Sequence, residues 1–220
     1  MDAGEVGHSH AELLSQPELR SPVEPRSHTE QGLERKQQLL EAAAALFSTK
    51  GYSSTRIADI CAAAGVAKGL MYWYFPTKES LFAELVRSMR TKLRRAQAAA
   101  MDPSADPLVR IRQGTEASVV FMAEHRSYFA LLDVERADDE VASVLRDGSD
   151  VYANDVIRLV REAQALDLVP DGDPRLFATG VLGAVSSFSH ALRSGSLDLD
   201  VDELATFVGD WVMRALTGAG

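Results

Sequence analysis

Cysteine is nearly missing from this chain: Cys61 is the only one in 220 residues. One thiol excludes a disulfide scaffold and suits a reducing cytoplasm. Beside it the predicted folded region holds only His125 and His190, too few soft ligands to assemble a metal site. A His8-x-His10 pair near the N-terminus is a weak metal signal in a polar segment, so no metal is expected. No apolar run is long enough to cross a membrane, although 46% of the residues are hydrophobic. A charged-then-apolar leader is also missing, so a cytoplasmic location is expected. There is no glycine-rich phosphate loop and no Gly-x-Ser-x-Gly elbow, and the group Ser186, Ser187, Ser189 and His190 is not a triad. The expectation is no catalytic residue, no cofactor and no enzyme. No stretch alternates as a strand, which leaves an all-α chain.

What is present is concentrated between Gln31 and Ser80. Gly51-Tyr52-Ser53-Ser54-Thr55-Arg56-Ile57-Ala58-Asp59-Ile60 is followed by Cys61-Ala62-Ala63-Ala64-Gly65-Val66-Ala67-Lys68-Gly69-Leu70-Met71-Tyr72-Trp73-Tyr74-Phe75-Pro76-Thr77-Lys78-Glu79. Thr55 or Ser54 can cap a first helix whose Ile57, Ile60 and Cys61 share one face. Gly65 stands where that helix must stop in a left-handed conformation. A second helix, about Ala67 to Phe75, ends hard at Pro76. Met71 and Phe75 should face the core, while Lys68, Leu70, Tyr72, Trp73 and Tyr74 cover the remaining surface. A short helix exposing a lysine and three aromatics is a poor solvent face and a good reader of a DNA groove. Two small helices across a glycine turn make a helix-turn-helix.

The run resembles the N-terminal domain of the TetR family of bacterial transcriptional regulators. It shares the Gly-Tyr, the Thr, the Ile-Ala-x-x-Ala-Gly-Val core and the Lys-Gly-x-x-Tyr-x-Tyr-Phe-x-x-Lys-Glu end. Lys68 is placed to reach a guanine edge or a phosphate, with Gly69 beside it in the motif, and Leu70 or Trp73 to touch thymine methyls. The resemblance implies phosphate contacts for Tyr72 and Tyr74. Thr77 and Lys78 begin the next helix, where an N-terminus favours an anion, and Thr55 has the same role at the start of the first helix of the pair. The bland alternatives are a core aromatic at Tyr72 and solvated charges at Lys68 and Lys78. Ala67 stands where the family often has Ser or Thr, and Trp73 departs from its usual residue; both bear on which operator is read.

Net charge is −9, which sits badly with a polyanion as partner until it is mapped. Residues 1–30 carry two basic and six acidic side chains, residues 31–95 eleven and five, and residues 96–220 ten and twenty-one. Positive charge therefore gathers around the motif, including Arg87, Arg90, Lys92, Arg94 and Arg95.

Along the chain, residues 1–30 read as a mobile arm, 31–80 as the helix-turn-helix domain and 81–220 as a larger helical domain for effector binding and dimerisation. Helices are predicted from about Leu33 to Lys50, Thr77 to Ala100, Leu108 to Arg136 (one or two), Asp139 to Leu166, Asp173 to Leu192 and Asp200 to Leu216. Gly180, Gly183, Ala184, Leu204, Phe207, Val208 and Trp211 mix small and apolar residues in a way that suits a four-helix interface between two copies. A homodimer on a palindromic double-stranded operator also answers the small reach of one recognition helix. The resemblance further implies repression relieved by a small hydrophobic or aromatic effector, with Phe121, Met122, His125, Tyr128, Phe129, Tyr152 and Phe188 as candidate lining. The alternative is a regulator with no small-molecule effector, governed by a protein partner or by abundance.

Overall fold

Helices build the whole of this computed structural model, which describes residues 28–135 and 149–218; no strand occurs among them. The order is α1 (His28–Lys50), α2 (Ile57–Ala64), α3 (Lys68–Tyr74), α4 (Lys78–Ala100), α5 (Pro107–Glu124), α6 (Arg126–Glu135), α7 (Ser149–Gln164), α8 (Pro174–Arg193) and α9 (Val201–Thr217). The all-α expectation is met.

Local chemistry sets the ends. α1 stops at Gly51, whose φ of 81° is left-handed. α2 stops at Gly65 (φ 62°), where Val66 N–H donates to Cys61 O at 3.0 Å and Gly65 N–H to Ala62 O at 3.3 Å, the paired bonds of a glycine-terminated helix. Thr77 and Ser80 cap α4 reciprocally, each hydroxyl accepting the other's backbone N–H at 3.1 Å. Asp106, Asp173 and Asp200 accept from the first N–H groups of α5, α8 and α9, and α5 and α8 each begin at a proline.

Three sequence expectations need correcting. α1 begins at His28 rather than Leu33, so residues 28–30 belong to the folded region; residues 1–27, with His8 and His10, lie outside the described residues. Neither Thr55 nor Ser54 caps α2, because Arg56 holds that position without a side-chain cap. The helix placed at Asp139 to Leu166 is described only as Ser149–Gln164, residues 136–148 lying outside the described residues, and it ends before Leu166, near the left-handed Asp167 (φ 57°). The stretch after Leu108 divides at His125 into two helices.

The interior is two apolar cores. One joins Leu39, Ala43 and Phe47 of α1 to Ile60, Met71 and Phe75, then to Leu81, Phe82, Leu85 and Val86 of α4, and finally to Phe121, Tyr128 and Leu131. The other packs Ile111 and Val119 against Leu159, Val160, Val185, Leu204, Val208 and Val212. The first core continues past residue 80, so α4 and α6 seat the helix-turn-helix on the body.

Candidate nucleic-acid interface

α3 is held by two side chains and presents the rest. Met71 is fully buried and Phe75 nearly so, four residues apart on the inward face. Lys68 and Gly69 are exposed, as are Leu70, Tyr72 and Trp73, the last of these 75% exposed. Lys68 Nζ lies 5.9 Å from the Tyr72 ring centroid. Trp73 meets Tyr74 edge-on with centroids 4.7 Å apart. Tyr74 is half-buried and leans back on α1, where its hydroxyl would lie 3.3 Å from a Cβ at Gly32. The structure thus gathers Lys68, Gly69, Leu70, Tyr72 and Trp73 on one surface.

Two expected contact residues turn inward. Thr55 is 1% exposed and its hydroxyl donates to Gly51 O at 2.7 Å, closing the turn between α1 and α2. A buried hydroxyl already committed to a carbonyl cannot also meet a phosphate, so Thr55 leaves the contact set. Lys78 sends its ammonium to Tyr52 O at 3.0 Å and Thr55 O at 3.4 Å, 4.2 Å from the Tyr52 ring centroid. Tyr52 O also accepts the Thr55 N–H at 3.2 Å, so the ammonium adds a charge-assisted bond to a turn that already closes on itself. Thr77 is exposed at the start of α4 but already accepts from Ser80 N–H. Removing the Lys78 ammonium with Lys78→Ala is expected to lower the stability of the folded protein by about 2 kcal/mol. Urea denaturation of the DNA-free protein measures this; an unchanged midpoint would mean that Lys78 only faces solvent.

Sequence reasoning missed the partners of this anchor. Tyr52 is buried, donates its hydroxyl to Glu79 Oε1 at 3.2 Å, and packs against Phe47 and Phe82. The hydrogen bond from the Thr77 side chain, then that from the backbone, holds the Glu79 carboxyl below its usual range, with Tyr52 and Lys78 adding to this. Lys36 bonds Glu84 across 48 residues at 2.6 Å, and Arg87 pairs with the same carboxylate. Burial raises the Glu84 carboxyl, but Lys36 and Arg87 outweigh it and leave it low. Burial pushes the Cys61 thiol up, partly countered by Lys68, which suits the core filler its position suggests. Of the basic run on α4, Arg87 is engaged by Glu84 and Arg94 by Asp155 at 3.1 Å, while Lys92 and Arg95 are exposed.

The candidate effector residues divide: Phe121, His125, Tyr128 and Phe129 meet ring to ring, whereas Met122 and Phe188 lie apart from them. Phe121 and Tyr128 are buried in the first core with Phe129 against it; Met122 and Phe188 pack on the second. His125 ends α5, its Nδ1 2.9 Å from Phe121 O and its ring stacked on Phe121 at 4.0 Å. Tyr152 is on α7, but its side chain lies outside the described residues. An open cavity of about 610 Å³ does exist between α1 and α4, bordered by Leu33, Lys36, Gln37, Glu84 and Ser88 and by none of those seven.

The candidate dimer residues divide as well. Ala184, Leu204 and Val208 are buried in the second core, so the chain itself uses them and they leave the interface set. Gly180, Gly183, Phe207 and Trp211 are exposed, with Leu176 at 73% on the same pair of helices. Phe188 meets both Phe207 and Trp211 edge-on. Ser186, Ser187 and His190 face solvent while Ser189 is buried, so that cluster does not form one site. Among the described residues no group of three or more His, Cys, Asp or Glu could hold a metal, and no helix is long and apolar enough to cross a membrane.

Two short helices joined by a left-handed glycine, the second displayed on a basic head, define a helix-turn-helix protein. The profile of the tetR family of bacterial regulatory proteins matches residues 39–85. The HTH-type transcriptional regulator AcrR of Shigella flexneri is 42% identical over 60 residues, 27% of this chain and 28% of that protein. The HTH-type transcriptional repressor KstR2 of Mycobacterium tuberculosis is 32% identical over 101 residues, 46% of this chain and 50% of that one. The chain spans half or less of the length of these two relatives. The fatty acid degradation regulator FadR of Bacillus halodurans shares the fold, with a TM-score of 0.74 at 19% identity, covering 81% of this chain and 94% of that one. Over residues 39–85, its helix-turn-helix region, the chain matches the TetR family of bacterial regulatory proteins, and its overall fold is shared with regulators of that kind.

Proposed function

We propose that this protein is a sequence-specific DNA-binding transcriptional regulator, a repressor that binds a palindromic operator as a homodimer and is released by a small hydrophobic effector. The observation that carries DNA binding is the outward face of α3. Lys68, Leu70, Tyr72 and Trp73 are all exposed on a seven-residue helix pinned by Met71 and Phe75, in the one stretch of chain with a positive charge balance. Lys68, Gly69, Leu70, Tyr72 and Trp73 reach the groove; Tyr74, Thr77 and the N-terminal turn of α4 border it. Phe207, Trp211 and Leu176, with Gly180 and Gly183 allowing close approach, supply an apolar two-helix face that a second copy would cover. The names of the two similar regulators, one of them a repressor, favour repression, and the fatty acid regulator of like fold favours a hydrophobic effector.

Selection of bound duplexes from a random DNA pool tests the reading. It should enrich an inverted repeat with half-sites about one helical turn apart, or a multiple of that; recovery of unenriched DNA would refute it. A second reading, control by a partner protein or by abundance, is favoured by the division of Phe121, Tyr128 and Phe129 from Met122 and Phe188 between two cores. Thermal-shift screening with hydrophobic metabolites separates the two. A hit that also releases the selected operator supports the effector, and hits that leave the complex intact support the second reading.

A further inference from the structure

The reading face of α3 has an unusual chemistry. With Met71 and Phe75 turned inward, helical geometry places Gly69 and Trp73, one turn apart, at the centre of the outward face. Leu70 and Tyr72 flank them, and Lys68 is exposed at the helix start. From Lys68 to Tyr74 there is no Arg, Asn, Gln, Asp, Glu, Ser or Thr. Those are the side chains that read the donor and acceptor pattern of the major groove, and Lys68 alone remains to meet a guanine through O6 and N7. The other distinguishing group there is the C5 methyl of thymine, which apolar surfaces recognise.

Gly69 fits the same chemistry. It is absent from the glycines with positive φ, and a Cβ built on it meets nothing within 4 Å. Neither backbone conformation nor packing inside the free molecule calls for glycine, yet glycine weakens a helix relative to alanine. The same open space shows that Trp73 is not folded over Gly69. Its ring rests edge-on against Tyr74, 4.7 Å between centroids, and is 75% exposed. Bare backbone therefore lies beside an aromatic wall, on the side a duplex would approach.

We propose that Gly69, Leu70 and Trp73 form a methyl-reading surface, so that the half-site recognised by this chain presents thymine C5 methyls to it beside a guanine facing Lys68. Gly69 is the glycine that lets the helix backbone approach the base edges, and Trp73 is the side chain that sets specificity. The inference rests on the DNA-binding reading above and assigns it an operator chemistry.

The test replaces each thymine of the selected half-site in turn by deoxyuridine, which removes the methyl and keeps every hydrogen-bonding group. The wild-type protein should lose about fourfold in affinity for each methyl read, and Trp73→Ala should bind the thymine and deoxyuridine duplexes equally at those positions. Gly69→Ala should raise the unfolding midpoint of the DNA-free protein while lowering operator affinity by tenfold or more. Deoxyuridine duplexes that all bind like the parent overturn the proposal, as does a Gly69→Ala protein with parental affinity. In either case the selected sequence still stands as evidence of DNA binding. A pool with no enriched sequence removes the DNA-binding reading and this one together.

Discussion

Truncating Phe82 to alanine is expected to cost about 3–5 kcal/mol of folding free energy and to abolish operator binding with it. Phe82 is 1% exposed at the start of α4 and meets two other rings, Phe47 of α1 at 5.8 Å and Tyr52 of the following turn at 5.1 Å between centroids. Phe47 and Tyr52 are themselves 5.2 Å apart, so three elements meet in one aromatic triangle. Removing its corner opens a cavity against α1 and the turn that Thr55 and Lys78 close. Domains of this kind are stable by about 5–15 kcal/mol in total, so the loss is a large fraction of the whole. Chemical denaturation followed by near-ultraviolet circular dichroism measures it. A loss below about 1 kcal/mol would show that the triangle is not the joint between head and body. Phe82→Leu, which keeps most of the volume, should recover much of the stability.

The second large effect is expected from charging the exposed face of α8 and α9. Phe207→Asp with Trp211→Asp puts two carboxylates on side chains that are 50% and 42% exposed, so the fold of one chain should survive. Two copies could no longer bury that face without desolvating unpaired charge. Sedimentation should report a monomer, and affinity for the full palindrome should fall by a factor on the order of 10² or more, the advantage of linking two half-site readers. A variant that remains dimeric would place the interface elsewhere on the molecule. Single substitutions at Ala184, Leu204 or Val208 would not serve as the test, because these residues lie in the second core and would unfold the chain.

Local signals carried well from sequence to structure where a single residue type decides the backbone. Gly51, Gly65, Thr77, Asp173 with Pro174, and Asp200 mark helix ends that the fold keeps, because a left-handed φ, a capping oxygen and a missing N–H act within a few residues. The inward pair Met71 and Phe75 was legible for the same reason, through helical period alone. Thr55 and Lys78 were not. Each has a polar group that local sequence allows to face an anion, and only carbonyls brought from the turn after α1 explain why both point inward.

The apolar residues of the body follow the same division. Periodicity marks Leu204, Phe207, Val208 and Trp211 alike as one face of α9, and Ala184 belongs to α8. Which of them the chain buries for itself, and which it leaves exposed, depends on where α5, α7, α8 and α9 pack. What the sequence alone determined is therefore the helical class, the helix-turn-helix and its basic surroundings, since these rest on propensities and charges close together in the chain. The tertiary structure alone decided which polar groups face a partner and which close a turn, and which apolar groups are core and which are surface. Those outcomes depend on side chains tens of residues apart competing for the same interior space.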